Sequence, residues 1–163
     1  MLQLENPVLH SLARVDWQFF GGLSFKSARV PERIRLSMFF GFGRRLAKLC
    51  KLYFPDLPWV LRQEAGEIGG RLHLHFLMGG LPEHFANLST VFYMLDAWQR
   101  MGGGHAKITE FDRTLNGVGY VSKCLGHRIG ADLYESAKFG WSSCQLIQSS
   151  ALVEIATSRT REI

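Results

Sequence analysis

Cysteine is scarce in this chain. Cys50, Cys124 and Cys144 are odd in number and far apart, which argues against a disulfide framework and a cysteine-ligated zinc site and favours a reducing compartment. No apolar run approaches the roughly 18 residues of a membrane span. Repeats, low-complexity tracts and long linkers are missing. Met1 to Arg14 lacks the basic stretch and apolar core of a secretory signal, so none is expected. The Gly-x-x-x-x-Gly-Lys-Ser/Thr pattern of a phosphate-binding loop is absent too, which excludes a helicase motor of that kind.

What is present is an ordinary globular composition, 47% hydrophobic and 20% charged over 163 residues. That length suits one domain with a real core, expected over 1–163 with its core at about 15–127 and a C-terminal extension over 128–163. The 19 Lys and Arg outnumber the 14 Asp and Glu, for a net charge of +5. Arg29, Arg33, Arg35, Arg44, Arg45, Lys48 and Lys51 crowd one segment. Such a segment favours a polyanionic partner through phosphate contacts and counterion release.

Trp17 to Phe25 reads as a first strand, with Gly21-Gly22 as a bulge or close backbone approach. Pro31-Glu32 opens a helix to about Tyr53, striped by Ile34, Met38, Phe42, Leu46 and Leu49, with a break possible at Gly41 and Gly43. After a Pro55–Pro58 turn, Trp59 to Gln63 and Arg71 to Met78 form a hairpin around Gly66, Gly69 and Gly70. Pro82 starts a helix to about Met101, striped by Phe85, Leu88, Phe92, Leu95 and Trp98 and ended by Gly102-Gly103-Gly104. His105 to Asp112 is a fourth strand, and a helix from about Gly117 to Leu125 follows, capped by Thr114 or Asn116. Ala151 to Ile155 reads as a short strand or helix. The order β-α-β-β-α-β predicts an α+β fold, the ferredoxin-like split βαβ arrangement: a central antiparallel sheet flanked by helices. Such a sheet needs one apolar face and leaves the other for binding.

His73 and His75 flank one leucine on the third strand, and residues two apart share a face. Their imidazoles can therefore meet at one cation while Leu72, Leu74 and Phe76 turn the other way. The hairpin supplies a carboxylate. If Gly69-Gly70 is a two-residue turn, Glu64 lies opposite His75; a longer even loop places it opposite His73. In both registers Glu67 points away, and only an odd loop reverses this, so Glu64 is preferred to Glu67. Two imidazoles and one carboxylate leave positions for water and a phosphate oxygen. That set suits Mg²⁺ or Mn²⁺ and also accepts Zn²⁺, Co²⁺ or Ni²⁺.

Tyr120 and Lys123 are three apart and share a helix face, while Val118, Val121 and Leu125 form a separate apolar stripe. A phenol of pKa near 10 attacks poorly unless a cation polarises its target and an ammonium steadies the developing charge. Tyr120 as nucleophile and Lys123 as its aid would give a covalent phosphotyrosine, able to rejoin without ATP. Tyr53 and Tyr93 sit in apolar patterns as packing residues, and Tyr134 has no such partner. Glu110 and Asp112 read as sheet-surface residues of the fourth strand, with assistance at the site as the alternative. His10, His84, His105 and His127 lack ligand spacing.

These residues resemble a known family. His73-Leu74-His75 resembles the His-hydrophobe-His motif of the HUH endonucleases, and Gly119-Tyr120-Val121-Ser122-Lys123 resembles their single-tyrosine motif. Trp17 to Phe25 is loosely similar to the first-strand motif of rolling-circle replication initiators, the Rep proteins of circoviruses, geminiviruses and bacterial plasmids, with Gly22 and Ser24 where threonines are usual. The likeness spans about Trp17 to Leu125. It implies a divalent-metal nickase and joining enzyme for single-stranded DNA at an origin stem-loop. Tyr120 would be linked to the 5′ phosphate, Glu64, His73 and His75 would hold the metal, and Lys123 would assist. A host polymerase would be a partner, and the chain would be either an isolated nuclease domain or one that borrows a host helicase. It would work in the cytoplasm for a plasmid or phage, and in the host nucleus for a eukaryotic virus. Two alternatives remain: a single-tyrosine transposase, which commonly carries a glutamine beyond the tyrosine, and a non-catalytic nucleic-acid module on the same sheet. Relaxases, whose nucleophile precedes the histidines, fit less well.

Overall fold

Alternating exposure along an aromatic-rich segment marks the first strand, β1 (Trp17–Phe25), whose residues are alternately buried and half-buried. The computed structural model describes residues 12–65, 71–115, 117–118 and 145–148. In it β1 is followed by α1 (Glu32–Leu49), β2 (Trp59–Ala65), β3 (Leu72–Gly79), α2 (Leu88–Arg100), β4 (Gly103–Glu110) and β5 (Gln145–Gln148). Short 3₁₀ turns at Phe54–Asp56 and Glu83–Phe85 precede β2 and α2. The strands form one sheet in the order β4-β1-β3-β2-β5, and every neighbouring pair is antiparallel. Its first four strands make the split βαβ, ferredoxin-like arrangement that the element order predicts. β5 adds an edge beyond β2 that the sequence did not reveal; the expected Ala151–Ile155 element lies outside the described residues.

Both helices cover one face of the sheet. Phe39 and Phe42 of α1 meet the Phe76 ring with centroids 5.9 and 5.7 Å away, and Phe42 meets Trp98 of α2 at 5.9 Å. Leu23, Phe25, Leu61, Leu74 and Met78 complete this core. The buried side of α1 is Arg35, Phe39, Phe42, Gly43, Leu46 and Ala47, so the expected stripe is rotated and Ile34 and Leu49 face solvent. Arg35 can occupy the inner face because its Nε donates to Gln63 Oε1 at 3.0 Å and its Nη1 to the Val30 carbonyl. The helix does not break at Gly43. A Cβ there would lie 2.2 Å from the Phe54 ring, so the glycine is needed for packing. In α2, Thr90, Val91, Met94, Ala97 and Trp98 turn inward, whereas Leu88 and Phe92 of the expected stripe are exposed. Asn87 starts this helix later than Pro82 would, its side chain accepting from the Thr90 N–H at 3.0 Å.

Among the described residues, no helix covers the opposite face at one end. At the other, Leu12, Val15, Trp17, Val60 and Leu77 form a second apolar cluster, flanked by Phe20, Phe111 and Val118. No helix among the described residues is long and apolar enough to cross a membrane.

Candidate metal centre

β2 and β3 pair with Glu64 opposite His73 and Arg62 opposite His75. The ladder continues to Ala65 opposite Leu72, the register expected for the longer even loop; the Gly69-Gly70 turn itself lies outside the described residues. The even register survives, and with it the prediction that Glu64 shares the histidines' face. Glu67 lies outside the described residues.

The three donors converge on one point. Glu64 Oε1 lies 2.8 Å from His73 Nε2 and 2.9 Å from His75 Nε2, and one ligand atom from each residue falls within 4.8 Å of the others. The rings meet edge to face, with centroids 4.7 Å apart. All three side chains are part-buried, at 22%, 26% and 14% exposure for Glu64, His73 and His75. Gly22 stands opposite His75, and a Cβ there would lie 3.5 Å from Nδ1, in ordinary contact.

The chemistry of the donor set fits a divalent cation. His73 Nδ1 lies 3.3 Å from the Arg71 carbonyl, so a hydrogen on Nδ1 can be donated there when Nε2 offers its lone pair to a cation. Burial, then His73, then Arg62 push the His75 imidazole down to about 3, leaving it neutral at physiological pH. Ligands about 2.1 Å from an ion and at right angles to each other lie about 3 Å apart, the spacing Mg²⁺ or Mn²⁺ demands. The oxygen–nitrogen separations already approach it.

Arg62 is the residue that motif reasoning missed. It is 1% exposed, and its Nη2 forms an ion pair with Glu64 Oε2. The available signal was its position two before Glu64 on a strand, hence on the same face.

A groove of about 630 Å³ runs from the histidines across β1 to β4. Phe20, Phe111 and Leu115 give it apolar walls, and Ser24, His105, Lys107 and Thr109 give it polar ones. Lys107 stands opposite Gly22, which in turn stands opposite His75, so this exposed ammonium is two strands from the donor cluster. His105 and Glu110 line the same groove. Asp112 is past the end of β4, where its carboxylate accepts from the Thr114 hydroxyl and backbone N–H and is held below the usual carboxylate range. The basic segment lies elsewhere. Most of it forms α1, on the helix-covered face, and Arg35 is buried there. Tyr53 is 69% exposed rather than packed, and the Tyr93 hydroxyl donates to the Arg45 carbonyl at 3.2 Å.

Tyr120 and Lys123 lie outside the described residues, as do His10, His127 and Tyr134. The chain before them is helical at 117 and 118, and Val118 packs against the apolar cluster on the histidines' face. No protein-family model, curated protein or solved structure matches the chain.

Proposed function

We propose that this protein is a metal-dependent nickase and joining enzyme for single-stranded DNA, initiating rolling-circle replication with Tyr120 as nucleophile. The observation that carries the reading is the convergence of Glu64 Oε1, His73 Nε2 and His75 Nε2 on the open face of the sheet. Two further features support it. The groove beside the donors pairs aromatic walls with Lys107, a combination suited to bases and phosphates of a single strand. Tyr120 follows by two residues Val118, which packs on that same face.

Glu64, His73 and His75 would hold Mg²⁺ or Mn²⁺, which when bound would supply Lewis-acid stabilisation of the charge on the scissile phosphate. His75 stays neutral and so keeps its lone pair for ligation. The Tyr120 oxygen forms a bond to phosphorus as the bond to the 3′ oxygen breaks. The phenol proton is lost to water, and the departing oxygen takes up a proton from water, leaving a 3′ hydroxyl for a polymerase. Lys123 steadies the charge on the phenolate and the transition state. The 5′ phosphotyrosine retains the bond energy, so the reverse attack rejoins the strand. The DNA partner is an origin stem-loop, unwound by a host helicase, in the cytoplasm for a plasmid or phage and in the nucleus for a eukaryotic virus.

Labelled single-stranded DNA and Mn²⁺ test this. The wild type should give an adduct that survives SDS, and Tyr120→Phe and the His73→Ala, His75→Ala double variant should not. If neither its own replicon's hairpin nor a broad oligonucleotide pool yields a Tyr120-dependent adduct, the function is something else.

A further inference from the structure

The two oxygens of Glu64 have different partners. Oε1 faces both histidines, while Oε2 is bound by Arg62 Nη2. Arg62 is buried on β2, two residues before Glu64 and directly opposite His75. A guanidinium does not lose its proton, and once buried it needs a carboxylate to offset its lost hydration. Its hold on Oε2 is therefore tight, and Glu64 is left with one oxygen to offer.

We infer that Arg62 confines Glu64 to one-oxygen ligation and thereby makes the centre selective for Mg²⁺ and Mn²⁺ over Ca²⁺. This rests on the metal-dependent reading above. A carboxylate free to swing can chelate through both oxygens, as it often does for Ca²⁺, which takes six to eight oxygens at about 2.3–2.6 Å. Mg²⁺ and Mn²⁺ need fewer and closer donors, and the set of two imidazole nitrogens and one carboxylate oxygen supplies them. Through bare charge alone, a buried cation next to a cation site weakens binding of every divalent ion equally. What Arg62 adds is a constraint on geometry, and it affects ions unequally. Arg62 is thus a positioning residue that acts through Glu64.

Titration calorimetry of the full chain with Mn²⁺ and with Ca²⁺ separates these roles. The wild type should prefer Mn²⁺. In Arg62→Met the Mn²⁺-to-Ca²⁺ affinity ratio should shrink by at least about tenfold, the scale at which residues behind metal ligands act. Arg62→Lys, which keeps the charge and one donor, should retain most of the wild-type ratio. If Arg62→Met instead raises both affinities in parallel and leaves the ratio unchanged, Arg62 acts only as a charge and the inference is overturned. A second measurement needs no variant and stands even if Arg62→Met does not fold. A crystal structure of the wild type with Mn²⁺ should show one Glu64 oxygen on the ion and the other still on Arg62; both oxygens on the ion would overturn the inference. A wild type that binds neither ion at Glu64, His73 and His75 would overturn the metal reading itself.

Discussion

Glu64 Oε1 lies 2.8 Å from His73 Nε2 and 2.9 Å from His75 Nε2. A carboxylate so close favours a protonated imidazole, but His75 resists the proton. Burial holds it at about 3, with His73 and Arg62 adding to the effect, whereas an unfolded histidine titrates near 6.5. Between those values the unfolded chain binds a proton that the folded chain refuses. The contribution of His75 to stability is therefore complete above about pH 6.5 and is lost as the pH falls toward 3, with a slope of at most about 1.4 kcal/mol per pH unit for one proton. In metal-free protein, the urea midpoint should fall across this window. His75→Gln, which cannot take up the proton, should lack that part of the fall. Parallel profiles for the two proteins would show that His75 is not held neutral.

At the scale of elements, neighbouring glycines on β1 serve different faces. A Cβ on Gly21 would sit 2.4 Å from Phe76 Cε1, and that ring, fully buried between Phe39 and Phe42, has nowhere to go. Gly21→Ala should cost about 1–3 kcal/mol, as overpacking does. Gly22→Ala meets nothing nearer than 3.5 Å and should stay within about 0.5 kcal/mol of the wild type; equal losses in chemical denaturation would contradict the packing argument. Asn87→Ala should cost about 1 kcal/mol by uncapping α2, and Asn87→Asp should restore most of it. These cases also show what the residues themselves revealed. The strands were readable because glycine and proline punctuate them and their side chains alternate, and Glu64 was found because an even hairpin preserves face. Helix phase was not readable. Phe39, Phe40 and Phe42 offer α1 more than one apolar side, and the choice fell to Arg35, whose partner Gln63 lies on a strand 28 residues away. β5 escaped notice because Gln145–Gln148 is short and acquires its role only by pairing with β2. Arg62 escaped because its importance comes from cross-strand position, which no motif records.

Among the described residues the basic side chains fall on both sides of the sheet, and under the proposed function this decides where a DNA strand would run. Clustering of Arg44, Arg45 and Lys48 points by sequence to the phosphate contacts, yet these exposed residues belong to the helix that covers the far side of the sheet from the histidines. Lys107 is one residue, but it lines the groove that contains His73 and His75. If the strand must pass the donor cluster to be cut, proximity outweighs number. A phosphate neutralised by one lysine contributes about one unit to the slope of log affinity against log salt, somewhat less for single strands. Lys107→Ala should therefore weaken single-stranded DNA binding and lower that slope by just under one, measured by fluorescence anisotropy across a salt series. The triple variant Arg44→Ala, Arg45→Ala, Lys48→Ala removes three times the charge and should change the slope less. A larger loss from the triple variant would move the strand onto the helices and away from the donors. The sheet's open face would then be a metal site without the DNA path proposed for it.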